Sequence, residues 1–137
     1  MKYHYRAAVP EQAGPLLYRP IVEIEIVGPK GRLRELALID SGADLSMFNK
    51  DIADIVGIDL TQATARRAIG ITGATTVYLA EVELKLGGAR GKMNIPVGFI
   101  DSPYVSVLLG QHGFFDRHRI TFEKHHHVFK ITPVKKK

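Results

Sequence analysis

The alternation of hydrophobic and polar positions predicts that most of this chain forms short β-strands. Residues 20–27 alternate with a period of two, which is typical of a strand with one buried face. A turn at residues 28–31 leads into a second, increasingly apolar strand at 32–39, so these two strands are expected to form a hairpin. Further predicted elements are strands at 64–69, 75–86, 92–99 and 105–109, one or two helical turns at 113–117, and a hairpin of strands 119–123 and 127–132.

One short helix is expected in the middle of the chain. Asn49 is suited to cap it, Ile52, Ile55 and Val56 would lie on one face, and Gly57 would end it. Many short strands with so little helix favour an all-β fold, a small closed or sandwiched β structure.

The composition is that of an ordinary globular protein. The chain has 137 residues, of which 45% are hydrophobic and 24% charged, so we expect one domain over residues 1–137. Within it, residues 1–16 would be an N-terminal extension and 118–137 a C-terminal hairpin with a basic tail. There is no apolar run long enough to cross a bilayer and no apolar core of a secretory signal near Met1, so a cytoplasmic location without membrane contact is expected.

Cysteine and charge exclude several kinds of chemistry. The chain has no cysteine, which rules out disulfides, thiolate nucleophiles and cysteine-ligated zinc. The net charge of +5 includes the terminal Lys135, Lys136 and Lys137, which are typical of a solvated chain end. No aromatic and basic signature of nucleic-acid binding accompanies them, so no nucleic-acid partner is expected.

The most informative position for function is Asp40, where an apolar strand runs directly into Asp40-Ser41-Gly42. Asp is a poor strand residue, and a carboxyl group at the end of a buried run needs hydrogen-bond partners. It could serve chemistry, or it could simply cap a turn through a bond to its own backbone.

Two further segments bear on this choice. Gly70 and Gly73 would form a hairpin tip able to fold over a ligand, although an ordinary hairpin turn is the commoner explanation for such a sequence. Residues 105–109 are predicted to form an apolar strand that ends at Gly110 and precedes the short helix. This pattern is also compatible with a buried core strand followed by a tight turn.

In this order, the three segments resemble the retropepsin-like aspartic protease family. Residues 40–43 correspond to its Asp-Thr/Ser-Gly-Ala loop, 69–73 to its flap, and 108–110 to its hydrophobic-hydrophobic-Gly segment. The resemblance implies a closed β-barrel with one half of an active site per chain. The long ending after Phe114 resembles the cellular and bacterial branches more than the retroviral one.

The resemblance also implies roles for individual residues. Asp40 would be the catalytic carboxylate, Ser41 would brace the two catalytic loops across a subunit interface, and Gly42 would approach the substrate backbone. The expected substrate-binding residues are Gly42, Ala43, Asp44, Ile69, Gly70, Ile71, Thr72 and Gly73.

The chemistry requires a second carboxyl group, because one must take a proton from water while the other protonates the leaving amine. The chain carries one Asp-Ser-Gly, so the resemblance implies a homodimer that cleaves peptides with Asp40 from each subunit and needs no metal or cofactor. We expect the C-terminal hairpin to contribute to its interface. A peptide-binding module without hydrolysis and a structural dimerisation domain remain as alternatives.

The histidines and Ser41 suggest other sites less strongly. Of His125, His126 and His127, only the first and last could share a metal ion on a strand, and a solvated turn is the preferred interpretation. His112 follows Gly110 and is interpreted as structural. Ser41 lacks the Gly-x-Ser-x-Gly pattern of a serine hydrolase.

Overall fold

The structure is a computed structural model that describes residues 1–8, 17–70, 73–103 and 105–134. Its one α-helix within these ranges, α1, spans Lys50–Val56, and 3-10 turns lie at Phe115–Arg117 and Lys124–His126. The strands are β1 (Lys2–His4), β2 (Arg6–Ala8), β3 (Leu17–Arg19), β4 (Ile21–Gly28), β5 (Gly31–Ile39), β6 (Ser46–Asn49), β7 (Thr64–Gly70), β8 (Gly73–Leu86), β9 (Met93–Ile100), β10 (Val107–Leu109), β11 (His118–Glu123) and β12 (Val128–Pro133).

Six strands close into a barrel. They follow the order β4-β5-β10-β6-β9-β8, and β8 pairs again with β4, so the sheet returns to its first strand. Among the strands that the structure describes, β7 pairs with β8 alone and extends from the barrel as one arm of a hairpin. The predicted all-β fold with a closed barrel is confirmed.

The barrel interior is filled by side chains that alternate along the strands. In β4, Val22, Ile24 and Ile26 are at most 2% exposed, while Glu23 between them is exposed, as the period-two pattern predicts. Rings from distant parts of the chain complete the core, and Phe48 meets Phe99 edge to face with centroids 5.8 Å apart. The alternation in the sequence therefore identified the buried face of this strand correctly.

Helix α1 covers one side of the barrel and has the predicted ends. The side chain of Asn49 accepts a hydrogen bond from the Asp51 amide, and Gly57 ends the helix in the left-handed conformation with φ of 83°. The predicted buried face was wrong at Ile55, whose side chain is 57% exposed. The helix instead buries Ile52, Ala53 and Val56.

A second, three-stranded sheet is formed from both ends of the chain. Strand β12 lies between β1 and β11 and packs Phe129 and Ile131 against the core. The hydroxyl of Tyr3 in β1 donates to the carbonyl of Gly87 at 3.0 Å, which ties this sheet to the turn after β8. Strands β2 and β3 pair as a separate two-stranded sheet. The sequence pattern predicted the β11–β12 hairpin. It did not predict the short strands β1, β2, β3 and β6.

No helix among the described residues has both the length and the apolar character needed to span a membrane.

Candidate active site

Three neighbouring strands position the loop that contains Asp40. Strand β10 lies between β5 and β6, parallel to β5 and antiparallel to β6. The chain from β5 to β6 must therefore pass around the end of β10, and residues 40–45 form this connection. The amide of Asp40 donates to the carbonyl of Leu109 at 2.9 Å, which extends the parallel pairing by one residue. Asp40 is thus fixed where the central strands end.

The carboxyl group of Asp40 is half-buried and held by its own loop. Its Oδ1 accepts a hydrogen bond from the Gly42 amide at 2.9 Å, and its carbonyl accepts one from the Ala43 amide at 3.2 Å. The turn-capping bond considered for Asp40 is therefore present. Among the described residues, Oδ2 has no hydrogen-bond partner, so one carboxyl oxygen is oriented by the loop and the other remains available.

A second loop, residues 110–112, holds the first one from the side. The amide of Gln111 donates to the Ala43 carbonyl at 2.8 Å, and that of His112 donates to the Asp44 carbonyl at 2.9 Å. The side chain of Gln111 also donates to the carbonyl of Ser41 at 2.8 Å. Three carbonyls of the Asp40 loop, those of Ser41, Ala43 and Asp44, are thus fixed, which gives the loop a defined shape before any ligand binds.

Gly110 and Ser46 allow this close approach of the two loops. A Cβ on Gly110 would lie 2.6 Å from the carbonyl oxygen of Ala43 and 2.8 Å from that of Leu45, so only glycine fits without a backbone shift. The amide of Gly110 donates to Oγ of Ser46 at 3.0 Å, and Ser46 is completely buried. The sequence analysis singled out Gly110 but missed Ser46 and Gln111, because no pattern in the sequence distinguishes either from a surface residue.

The predicted flap is a β-hairpin. Strands β7 and β8 pair as far as Ile69 with Ala74 and Gly70 with Gly73. Ile71 and Thr72, which the sequence analysis also placed in the substrate site, lie outside the described residues. The hairpin itself is confirmed, and its contact with substrate stays a prediction.

The Asp40 loop contacts the outer face of the barrel at strands β8 and β9, next to this hairpin. A Cβ on Gly98 in β9 would lie 3.0 Å from Cδ2 of Leu45 and 3.4 Å from Cβ of Val77 in β8. The side chains of Leu45 and Val77 therefore lie together over Gly98. This contact shows which face of the β7–β8 hairpin is on the side of the Asp40 loop.

The remaining residues of the Asp40 loop are accessible. Ser41, Gly42 and Asp44 are exposed, and Ala43 is half-buried. Two cavities of about 520 and 620 Å³ lie elsewhere, and no residue of the Asp40 loop lines either of them. In the single chain Ser41, Gly42 and Asp44 are therefore accessible from outside.

Among the described residues, no histidine forms a hydrogen bond or ion pair with the carboxyl group of Asp40. Nδ1 of His112 lies 3.7 Å from Oδ2 of Asp116, so its side chain pairs with that residue, and only its backbone supports the loop. His125 and His126 lie in the 3-10 turn Lys124–His126 and are exposed, as the turn interpretation predicted. The expectation that a strand begins at His127 was wrong. This residue has a positive φ of 53° and stacks on Tyr18 with ring centroids 4.4 Å apart.

Comparison with known proteins agrees with this geometry. The sequence profile of a family described as "Aspartyl protease" matches residues 22–112, about two-thirds of the chain. The matched segment contains the Asp40 loop, the β7–β8 hairpin and residues 110–112. No curated protein matches the chain. Because the profile matches more than half of its length, this chain belongs to the retropepsin-like aspartyl protease family.

Proposed function

We propose that this protein is an endopeptidase that hydrolyses extended peptides with one Asp40 from each of two subunits. The observation that carries the proposal is the position of Asp40. It follows the end of β5, and its amide donates a hydrogen bond to the carbonyl of Leu109. One of its carboxyl oxygens accepts a hydrogen bond from the Gly42 amide, and the other has no hydrogen-bond partner among the described residues.

Such a carboxyl group performs half of the hydrolysis. One ionised carboxylate takes a proton from water as the water oxygen attacks the peptide carbonyl carbon, and a second, protonated carboxyl donates a hydrogen bond to the carbonyl oxygen. As the carbon–nitrogen bond breaks, a proton passes to the leaving amine. Two carboxyl groups in contact hold one proton between them because both cannot ionise at that distance, so each begins in the required state.

A second copy of the chain is the proposed source of the other carboxyl group. The Asp40 loop contains one further acid, Asp44, which is exposed and, among the described residues, forms no hydrogen bond with the Asp40 carboxyl group. The carboxyl group of Asp116 is engaged elsewhere, because its Oδ2 accepts a hydrogen bond from the Gly113 amide at 3.0 Å. A twofold axis beside the open Asp40 loop would bring two identical carboxyl groups together.

Backbone hydrogen bonds are the proposed mode of substrate binding. Within the described ranges strand β7 pairs only with β8, and the β7–β8 hairpin projects from the barrel on the side of the Asp40 loop. A peptide held between the loop and the hairpin would lie extended, with strand-like bonds to Gly42 and the hairpin tip. In this arrangement water, carboxyl groups and peptide are sufficient, with no metal or cofactor.

The proposal is tested with a diverse peptide mixture incubated at several pH values and mapped by mass spectrometry. Asp40→Asn is the matched control, since its amide oxygen can still accept from Gly42 while the carboxyl chemistry is lost. We expect the substitution to reduce cleavage by about 10²- to 10⁴-fold, the size of a general acid–base contribution. Equal cleavage by both proteins would contradict the proposal, and peptide binding without cleavage would favour a binding module.

A further inference from the structure

We infer that Arg66 makes the enzyme prefer peptides with an acidic side chain beside the scissile bond. This inference rests on the proposed function. It assigns Arg66, a residue of the hairpin strand β7, as a specificity-determining residue whose guanidinium pairs with a carboxylate of the substrate.

The pairing of β7 with β8 determines the face on which Arg66 lies. Arg66 is directly opposite Val77, and Arg67 is directly opposite Thr76. Directly opposed residues of an antiparallel pair project from the same face, and successive residues of a strand project from opposite faces. Arg66 therefore shares a face with Val77, and Arg67 lies on the other one.

The face with Arg66 and Val77 is the one turned towards the Asp40 loop. The inner face of β8 carries Val82 and Leu84 into the barrel core. Val77 lies on the opposite face and is nevertheless only 3% exposed, because it packs beside Gly98 and Leu45. Leu45 is the last residue of the Asp40 loop before β6. A peptide that lies between this loop and the hairpin therefore passes the side chain of Arg66.

The charge of Arg66 is available to a ligand. Its side chain is exposed, and among the described residues its guanidinium forms no ion pair or hydrogen bond. Its neighbours on the same face, Thr64 in β7 and Leu79 in β8, carry no charge. Asp40 and Asp44 on the loop are acidic and repel a substrate carboxylate. Arg66 attracts that carboxylate to the hairpin side of the groove. The planar guanidinium fits a carboxylate with two parallel hydrogen bonds.

The experiment compares two peptides that the wild-type protein cleaves and that differ only by Glu against Gln beside the scissile bond. The positions on either side of the bond are varied one at a time, and kcat/KM is measured for each pair. We expect the Glu peptide to be cleaved roughly fivefold faster at one position, which is the effect of an ion pair near a protein surface. The preference should decrease at high salt concentration.

Matched variants assign this preference to Arg66. Arg66→Gln should cleave both peptides equally, Arg66→Lys should keep a reduced preference, and Arg66→Glu should prefer a Lys peptide over the Gln peptide. Arg67→Gln removes the same charge from the opposite face of the same strand and should keep the wild-type preference.

The outcomes distinguish this inference from the proposed function. If wild type cleaves peptides but treats the Glu and Gln series alike, or if Arg67→Gln removes the preference as fully as Arg66→Gln, the role of Arg66 is wrong and the enzyme assignment stands. If wild type cleaves no peptide of a diverse mixture, the proposed function itself fails, and the role of Arg66 fails with it.

Discussion

The Oγ of Ser46 joins two loops from inside the barrel. Ser46 begins β6, immediately after the Asp40 loop, and accepts from the amide of Gly110 in the second loop. Both residues are buried, so water cannot replace this bond. A buried amide without a partner costs more than a neutral hydrogen bond contributes when it is formed. The position of Asp40 thus depends on a residue that itself has no access to substrate.

We predict that Ser46→Ala lowers the free energy of unfolding by about 1–3 kcal/mol, because it leaves the Gly110 amide buried and unpaired. Urea denaturation followed by circular dichroism measures the change. The control is Ser106→Ala on the exposed surface near β10, which should change stability by less than about 0.5 kcal/mol. Equal and small effects of both substitutions would show that the Ser46 bond contributes little.

At the scale of elements, the terminal sheet of β1, β11 and β12 is joined to the barrel through tyrosines. Tyr3 stacks on Phe129 with ring centroids 5.4 Å apart, and its hydroxyl donates to the Gly87 carbonyl. Burial raises the pKa of Tyr3 above its ordinary value, and it also raises the pKa of Tyr5. Both phenols are therefore held in the neutral form by folding.

This raised pKa predicts a loss of stability in alkaline solution. The contribution of neutral Tyr3 is fully present below the pKa of an unfolded tyrosine, about 10, and is lost as the pH rises through the higher pKa of the folded state. Tyr3→Phe removes the titrating group, so its stability should fall less steeply above a pH of about 10 than that of wild type. Denaturant unfolding at a series of pH values provides the measurement.

A second substitution extends this experiment. The slope that remains in Tyr3→Phe should be reduced further by adding Tyr5→Phe, since burial raises the pKa of both groups. Identical slopes for wild type and Tyr3→Phe would contradict the assigned role of Tyr3.

At the scale of the whole molecule, the proposed enzyme is two chains. Each chain would supply one Asp40 loop, and in the single chain Ser41, Gly42 and Asp44 of this loop are exposed. A site made from two identical loops has a testable property, because inactive chains then disable active ones by pairing with them.

Mixing experiments measure this property. Wild type and Asp40→Asn are combined at constant total concentration and allowed to exchange subunits before the assay. If one site needs both carboxyl groups, activity follows the square of the wild-type fraction, so an equal mixture has about one quarter of the full activity. Wild type mixed with an inert protein of another fold provides the control for dilution. A linear dependence on the wild-type fraction would show that each chain is active alone.

The sequence by itself determined what depends on neighbours along the chain. The alternation in residues 20–27, the capping pair Asn49 and Gly57, and the β7–β8 hairpin all follow from local backbone and side-chain preferences, and all are present. The same local pattern made Asp40 the candidate catalytic residue, since a carboxyl residue at the end of an apolar strand is conspicuous in any context. The burial of Ile55 was misjudged because what packs against a helix depends on distant segments.

Only the tertiary structure decided how these pieces meet. The closure of β4 onto β8, the insertion of β10 between β5 and β6, and the three-residue strand β1 beside β12 depend on pairing between residues far apart in the sequence. Ser46 and Gln111 gained their roles in the same way, through hydrogen bonds to a loop more than sixty residues away. A local pattern carries no information about such partners, because their contacts exist only once the barrel has closed.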